Sequence, residues 1–266
     1  MTIRRKLGTY ALMLAAVSSV LAGTAPQAVA SSAATEVRVM TWNIHGEDAD
    51  IPGVASVISS HGVDVVTVQE IHRRPDWDQV RELADALGWH ISANVHFGRG
   101  DNPGPCDDEW PGDAGNAVLS AFPIVAKVTR PLSPASQDCP VKRSMAGVKI
   151  DVNGTALHVF TSHFTPGAGS AAVTLRQQQA RAVVDYLTHP GPLLFTGDLN
   201  DRPGSTIHGW VTGAGFQDTG ARFADDPTLG TARIDFIFSR AITVTGGFVP
   251  DPGYSDHRPV IMDVVL

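Results

Sequence analysis

The sequence predicts an α+β domain in which two β-sheets pack against each other with a few helices outside. Strand-like apolar runs outnumber helical ones, and they do not alternate with helices in the regular way that builds one parallel sheet. No internal repeat and no linker divides the chain. About 236 residues follow a predicted leader, enough for one large domain with a substantial core.

The leader comes first. Arg4, Arg5 and Lys6 form a basic start, Tyr10 to Ala22 is apolar apart from Ser18-Ser19, and Ala28-Val29-Ala30 offers a small-x-small cleavage site. This pattern predicts a secretory signal peptide over residues 1–30, cleaved near Ala30, and an extracellular protein. A membrane anchor is the competing reading, but the apolar run is short of the ~20 residues that span a bilayer. Losing the leader removes three basic and no acidic residues, so the formal charge falls from -7 to -10. An acidic surface gives no general help in holding nucleic acid or anionic lipid, although one locally charged cleft can still turn over a polyanion.

The mature part, residues 31–266, opens on Val37 to Trp42, which alternates like a strand and delivers Asn43 and His45 at its end. Val54 to Ser60 reads as a short helix. Val63 to Val68 is near-continuously apolar, as in a strand buried on both faces, with Glu70 just past it. Trp77 to Leu87 has helical spacing and stops at Gly88. Strands are then expected near His90–Phe97, Ala117–Ala121, Val125–Arg130, Ala146–Val152 and Ala156–Ser162, the last two joined by the hairpin signal Asn153-Gly154. A helix over roughly Ala171–Leu187 precedes strands near Pro192–Thr196, Ile234–Phe238, Ile242–Val249 and Val260–Val265.

The stretch Gly98–Gly115 is rich in Gly, Pro and Asp and holds Cys106; Cys139 lies in similar loop sequence. Loops of that length in a compact domain are often functional or disordered. In an exported chain the two cysteines are expected to form one disulfide, closing a loop of about 33 residues and contributing roughly 3–4 kcal/mol. The alternatives are two free thiols or a metal pair, and no neighbouring His or Cys at ligand spacing supports the latter. Asp107-Asp108-Glu109 reads as a solvated face, since no calcium-loop motif surrounds it.

Acid, amide and imidazole groups collect at strand ends: Asn43, Glu70, His163, Asp198 with Asn200, and Asp256 with His257. Taken singly, each has a plain structural explanation as a turn, a cap, a solvated acid or a half-buried histidine. Asp235 is harder to explain away, because an acid inside Ile234-Asp235-Phe236-Ile237-Phe238 needs a partner such as His, Arg or a metal. Together these groups suit a hydrolase that uses a hard divalent cation and moves protons.

Seven segments occur in order: Thr41-Trp42-Asn43-Ile44, Val68-Gln69-Glu70-Ile71, Gly115-Asn116-Ala117-Val118-Leu119-Ser120, Ser162-His163-Phe164, Gly197-Asp198-Leu199-Asn200, Arg233-Ile234-Asp235-Phe236-Ile237-Phe238 and Ser255-Asp256-His257-Arg258-Pro259-Val260. This order resembles the endonuclease/exonuclease/phosphatase superfamily, which includes deoxyribonuclease-I-like enzymes, apurinic endonucleases, sphingomyelinases and inositol-polyphosphate phosphatases. The resemblance spans residues 36–266. It implies a four-layer α/β/β/α sandwich of two mixed sheets packed face to face. It also implies that Glu70, with Asn43 and Asp256, holds Mg²⁺ or Mn²⁺, Ca²⁺ being a further candidate. Asp198 would activate the attacking water and Asn200 hold that water or a phosphate oxygen. His257, paired with Asp235, and His163 would face the phosphate.

The acid that should partner His163 is not evident; Asp113 is a candidate by position only. Asn116 is read as cleft-facing or as a structural turn residue. Arg143 and Arg176 are expected on the surface or on a helix face more than on phosphate. His45 is a cleft-lining candidate, while His72, His96, His158, His189 and His208 are read as structural or solvated. The implied activity is hydrolysis of a phosphodiester, nuclease-like first, with phospholipid, sphingomyelin and small phosphoesters as alternatives. No exposed aromatic hairpin for lipid contact is evident, Trp89, Trp110 and Trp210 being scattered. No stable protein partner is implied and a monomer is expected. A non-catalytic binding module on the same fold would be favoured by loss of Glu70, Asp198 or His257, none of which is lost.

Overall fold

The computed structural model describes residues 34–74, 77–89, 95–99, 113–132 and 143–266. The predicted leader, both cysteines, the acidic run at 107–109 and the side chains of His96 and Asp113 lie outside the described residues. In chain order the elements are β1 (Glu36–Asn43), α1 (Ile51–Ser60), β2 (Val65–Arg74), β3 (Trp77–Asp78), α2 (Gln79–Ala86), β4 (Val95–Arg99), β5 (Asp113–Ser120) and β6 (Ile124–Pro131). They continue with β7 (Ser144–Val152), β8 (Thr155–His163), α3 (Ser170–Tyr186), β9 (Leu193–Asp198), α4 (Thr206–Gly213), β10 (Gln217–Asp218), α5 (Gly220–Phe223), β11 (Asp235–Arg240), β12 (Thr243–Phe248) and β13 (Val260–Val265).

One sheet has the order β12-β13-β1-β2-β5-β4, with β3 paired to β2; the other runs β10-β11-β9-β8-β7-β6. Each sheet contains one parallel pair, β1–β2 and β8–β9, joined through α1 and α3 respectively. The remaining pairs among the described residues are antiparallel, so both sheets are mixed.

Strand periodicity explains the layering. In β1, Val37 and Val39 join a buried cluster shared with Leu157 and Val159 of β8, Leu194 of β9 and Ile237 of β11, which is the layer between the sheets. Met40 and Trp42, one residue out of phase, pack instead with Val54 and Ile58 of α1 and Leu83 of α2 on the outer face. The second sheet repeats the arrangement: Phe195, Phe236 and Phe238 pack outward with Ala180 and Val183 of α3 and Val211 of α4. The predicted four layers are thus present.

Local chemistry starts the helices. The side chains of Asp50, Asp78 and Ser205 accept from Gly53, Arg81 and His208 amides and cap α1, α2 and α4. The helix expected over Trp77 to Leu87 begins later, because Trp77 and Asp78 first pair with Arg74 and Arg73. The strand expected near His90–Phe97 is described only from Val95, residues 90–94 being outside the described set. Helix α4 was not predicted: Thr206, Gly209, Thr212 and Gly213 are poor helix formers, and the helix is held by burial of Ile207 and Val211.

Between the sheets, packing is apolar at one end and polar at the other. Thr67 Oγ1 meets Thr196 Oγ1 of the opposite sheet at 2.8 Å. The Gln69 amide donates to Thr41 Oγ1 at 3.1 Å and to Thr161 Oγ1 across the gap at 2.9 Å. Asn116, in β5, donates to Ser144 O at 3.1 Å, so its role is to tie the sheets rather than to make a turn. These directional contacts set how the two sheets register just beneath the polar cluster.

Candidate active site

The cluster continues the inner-face alternation. Counting in twos, Val37, Val39 and Thr41 lead to Asn43, Leu157, Val159 and Thr161 to His163, and Leu194 and Thr196 to Asp198. Asp235 opens β11 directly opposite Asp198 in the ladder. Four inner-face side chains therefore converge where the interlayer turns polar. Asn43, His163 and Asp198 end the parallel strands, the usual place for ligands in sheets with such crossovers.

Glu70 breaks the alternation. Val65 faces inward and Val66 and Val68 outward, so Glu70 in a regular strand would point away from the site. A bulge places Gln69 and Glu70 opposite Asn116 alone, and Glu70 adopts φ +55. The turn brings its carboxylate to the inner side, where Asn43 Nδ2 donates to Oε1 at 2.9 Å. Beyond the bulge the phase is reversed, and Ile71 packs outward.

Asp198 Oδ2 is the meeting point. It lies 3.3 Å from Asn43 Nδ2, 3.5 Å from His163 Nε2 and 3.9 Å from His257 Nε2, while Oδ1 accepts from Asn200 N at 2.7 Å. Burial and the adjacent Asp235 charge push the Asp198 carboxyl up to about 6, against the pull of His163, His257 and the Asn200 amide.

His257 responds in the opposite sense. Burial disfavours its charged form, but the hydrogen bond from Nδ1 to Asp235 Oδ2 at 2.8 Å and the charges of Asp235, Asp198 and Asp256 outweigh it, raising the imidazole to about 9. Asp235 is fully buried. The segment carrying His257 is pinned to β1, since Ser255 Oγ donates to Asn43 O at 2.7 Å and accepts from His257 N at 3.1 Å. Trp42 Nε1 donates to His257 O at 2.9 Å.

Asn200, at φ +50, donates from Nδ2 to Phe164 O at 3.0 Å, and the same nitrogen lies 3.0 Å from His163 Nε2. The other ring nitrogen, Nδ1, faces Glu70 Oε1 at 3.8 Å. His163 thus lies between Asn200, Asp198 and Glu70.

Asp256 is exposed and makes no hydrogen bond or ion pair to Asn43 or Glu70 among the described residues; the Ser255 hydroxyl lies 3.4 Å from it. Arg143 and Arg176, expected on the surface or on a helix face, are both buried, Arg176 on helix α3. Arg176 donates to the carbonyls of Thr165 and Gly167 at 2.9 and 2.6 Å, which holds the loop after β8. His45 is exposed, at φ +63, and its amide donates to Asn43 Oδ1 at 3.1 Å, orienting that side chain. His208 is part of a separate, partly buried network with Asp218 and Arg233.

With Glu70, Asp198, Asp235 and Asp256 set against one raised imidazole, the site as it stands would repel an anionic substrate. Its donor chemistry suits a hard cation: a partly exposed carboxylate at Glu70 beside a buried side-chain amide at Asn43. Asp198, Asp235 and His257 also offer atoms within 4.8 Å of one another, near enough for one ion to bridge. There, however, His257 Nδ1 is engaged by Asp235, and a charged imidazole has no lone pair to give.

The family model for the endonuclease/exonuclease/phosphatase family matches residues 40–257, which include all eight predicted site residues. The chain belongs to this family. Family members hydrolyse phosphoester bonds. Among solved structures it resembles an endonuclease/exonuclease/phosphatase from Beutenbergia cavernae DSM 12333, at 29% identity and TM-score 0.75 over 87% of this chain and 72% of that one. A mannosyl-6-phosphatase from Bacteroides thetaiotaomicron VPI-5482 shares the fold at 19% identity and TM-score 0.68, over 86% and 100% of the two chains. The human Nocturnin catalytic domain, solved with a bound sulfate anion, does so at 17% identity and TM-score 0.69, over 86% and 94%. No curated protein sequence matches the chain.

Two contributors to this family site were missed from the sequence. Gln69 was passed over as the residue before Glu70, although its inner-face parity placed it with Thr67 across the sheets. Ser255 was quoted without a role, and its spacing of two from His257 was the available signal.

Proposed function

We propose that the chain is a secreted, divalent-metal-dependent phosphodiesterase with nuclease-like action as its leading substrate class. The observation that carries this reading is the opposed tuning of two groups 3.9 Å apart, Asp198 raised to about 6 and His257 to about 9. Between those values Asp198 is an anion able to take a proton while His257 is a cation able to stabilise developing negative charge.

In this reading Glu70, the Asn43 side-chain oxygen and Asp256 would hold Mg²⁺ or Mn²⁺, which supplies positive charge at the phosphoryl oxygens. Asp198 Oδ2 accepts the proton of the attacking water. Asn200, whose Nδ2 donates to Phe164 O, would hold that water or a phosphate oxygen. His257 directs Nε2–H at a non-bridging oxygen, its orientation and charge maintained by Asp235.

The acidic chain argues for a locally read phosphate rather than a broad duplex-binding face. Among the described residues the exposed large apolar side chains are only Val125, Phe248 and Tyr254, which weighs against a lipid surface. A small phosphomonoester remains the second reading, supported by the full-length fold likeness to the mannosyl-6-phosphatase.

The test is hydrolysis of bis-p-nitrophenyl phosphate, p-nitrophenyl phosphate, plasmid DNA and phosphatidylcholine with Mg²⁺, Mn²⁺, Ca²⁺ or EDTA, alongside Asp198→Ala and His257→Ala. Metal-dependent diesterase activity abolished by both substitutions is expected. Activity that survives EDTA, or either substitution, rejects the mechanism; activity confined to the monoester selects the second reading. Export is tested by mass spectrometry of the mature N-terminus, expected just after Ala30.

A further inference from the structure

Thr228 lies in the loop between α5 and β11 and is buried. Its hydroxyl oxygen accepts from two successive main-chain amides, Ile234 N at 3.1 Å and Asp235 N at 3.2 Å. Its carbonyl accepts from Arg258 N, the amide directly after His257, at 2.7 Å. The next residue, Leu229, bridges to both Ala232 and His257. One residue therefore holds both arms of the Asp235–His257 pair: its side chain grips the start of the acid's strand, and its main chain grips the segment carrying the imidazole.

We propose that Thr228 is a positioning residue for the hydrolysis, setting the approach of Asp235 Oδ2 to His257 Nδ1. The proposal rests on the phosphoesterase reading of the site. A hydroxyl has two lone pairs, and here both are given to amides at the point where the β11–β9 ladder begins. Ile234 also ties this point to the far side of the site, because its carbonyl accepts from Leu199 N, next to Asp198, at 2.9 Å. Without the hydroxyl, two buried amides lose their acceptor and regain one only by moving. The Asp235 carboxylate moves with them, since it is carried by the second of those amides. Thr228 is buried and its hydroxyl is spent on the two amides, so its effect on turnover runs through Asp235.

The test compares Thr228→Val, which removes the hydroxyl at nearly unchanged volume, with Thr228→Ser, which keeps it. In bis-p-nitrophenyl phosphate hydrolysis the valine variant is expected to lose roughly 10- to 100-fold in kcat, with KM within about threefold, because small misplacements of reacting groups cost this much. The serine variant should recover most of the loss. In an Asp235→Asn background Thr228→Val should add little further. A substrate-free readout is the low-field proton resonance of His257 Nδ1–H, expected in the wild type and the serine variant and lost in the valine variant. Should the valine variant fail to fold, Thr228→Ala against Thr228→Ser decides by the same readouts. A hydroxyl-free variant that folds and keeps the resonance overturns the proposal, whether or not the protein proves to be a phosphodiesterase. So does a serine variant as impaired as the valine one.

Discussion

Asp235→Asn removes one charge from the deepest point of the site while keeping the side chain's shape. In the wild type His257 stands at about 9 against an ordinary value of 6.5, a difference of ~2.5 pH units that favours the charged, folded form by roughly 3 kcal/mol. The imidazole is only 6% exposed, so water screens little of this. Because the folded value lies above the unfolded one, the contribution is complete below pH ~6.5 and is lost as pH rises through about 9. In the variant, burial is opposed only by Asp198 and Asp256, and the ring should titrate near or below its ordinary value. The measurement is urea unfolding of the metal-free protein in EDTA at closely spaced pH from about 6 to 10, paired with NMR titration of His257. The wild type should lose about 3 kcal/mol more than the variant across this interval. A variant with the wild-type pH slope, or a wild-type His257 that titrates near its ordinary value, refutes the electrostatic account.

Activity should follow a bell in pH, with kcat/KM rising through about 6 as Asp198 ionises and falling through about 9 as His257 loses its proton. The same Asp198 is held above its ordinary 3.8, so its ionisation should cost stability between pH ~4 and ~6, opposite in sign to an ordinary salt-bridged acid. Glu70→Gln should leave unfolding nearly unchanged while weakening Mg²⁺ or Mn²⁺ binding, read by calorimetry, by at least the roughly 10-fold that loss of outer metal contacts costs. Gly197 has φ +124, and a Cβ there would be driven into the Ser162 carbonyl of the neighbouring strand. Gly197→Ala should therefore destabilise the protein by more than ~3 kcal/mol in thermal or urea unfolding; a variant within 1 kcal/mol of the wild type, against that ~3 kcal/mol floor, would show that the strand pair yields.

Much of the site follows from reading alternate residues. Asn43, His163 and Asp198 each continue a row of inward-facing positions, so a strand period of two already groups them on one face. Asp235 stands out because an acid amid large apolar residues demands a partner, and His257 is that partner. Glu70 is different: its motif identifies it, but parity would send it outward, and only the bulge at φ +55 turns it in. Arg143 and Arg176 were expected on the surface or on a helix face, and both are buried. Arg176 is buried because two loop carbonyls receive it.

The sequence by itself determined the family, the two-sheet architecture and the chemical types of the groups gathered at the strand ends. Those are properties of residue order and periodicity, which local geometry enforces. Only the tertiary structure decided which atoms meet at Asp198 Oδ2, that Asp198 and His257 are tuned in opposite directions, and that Thr228 staples their neighbourhood. Such outcomes depend on burial and on contacts between segments far apart in the chain, and no local pattern encodes them.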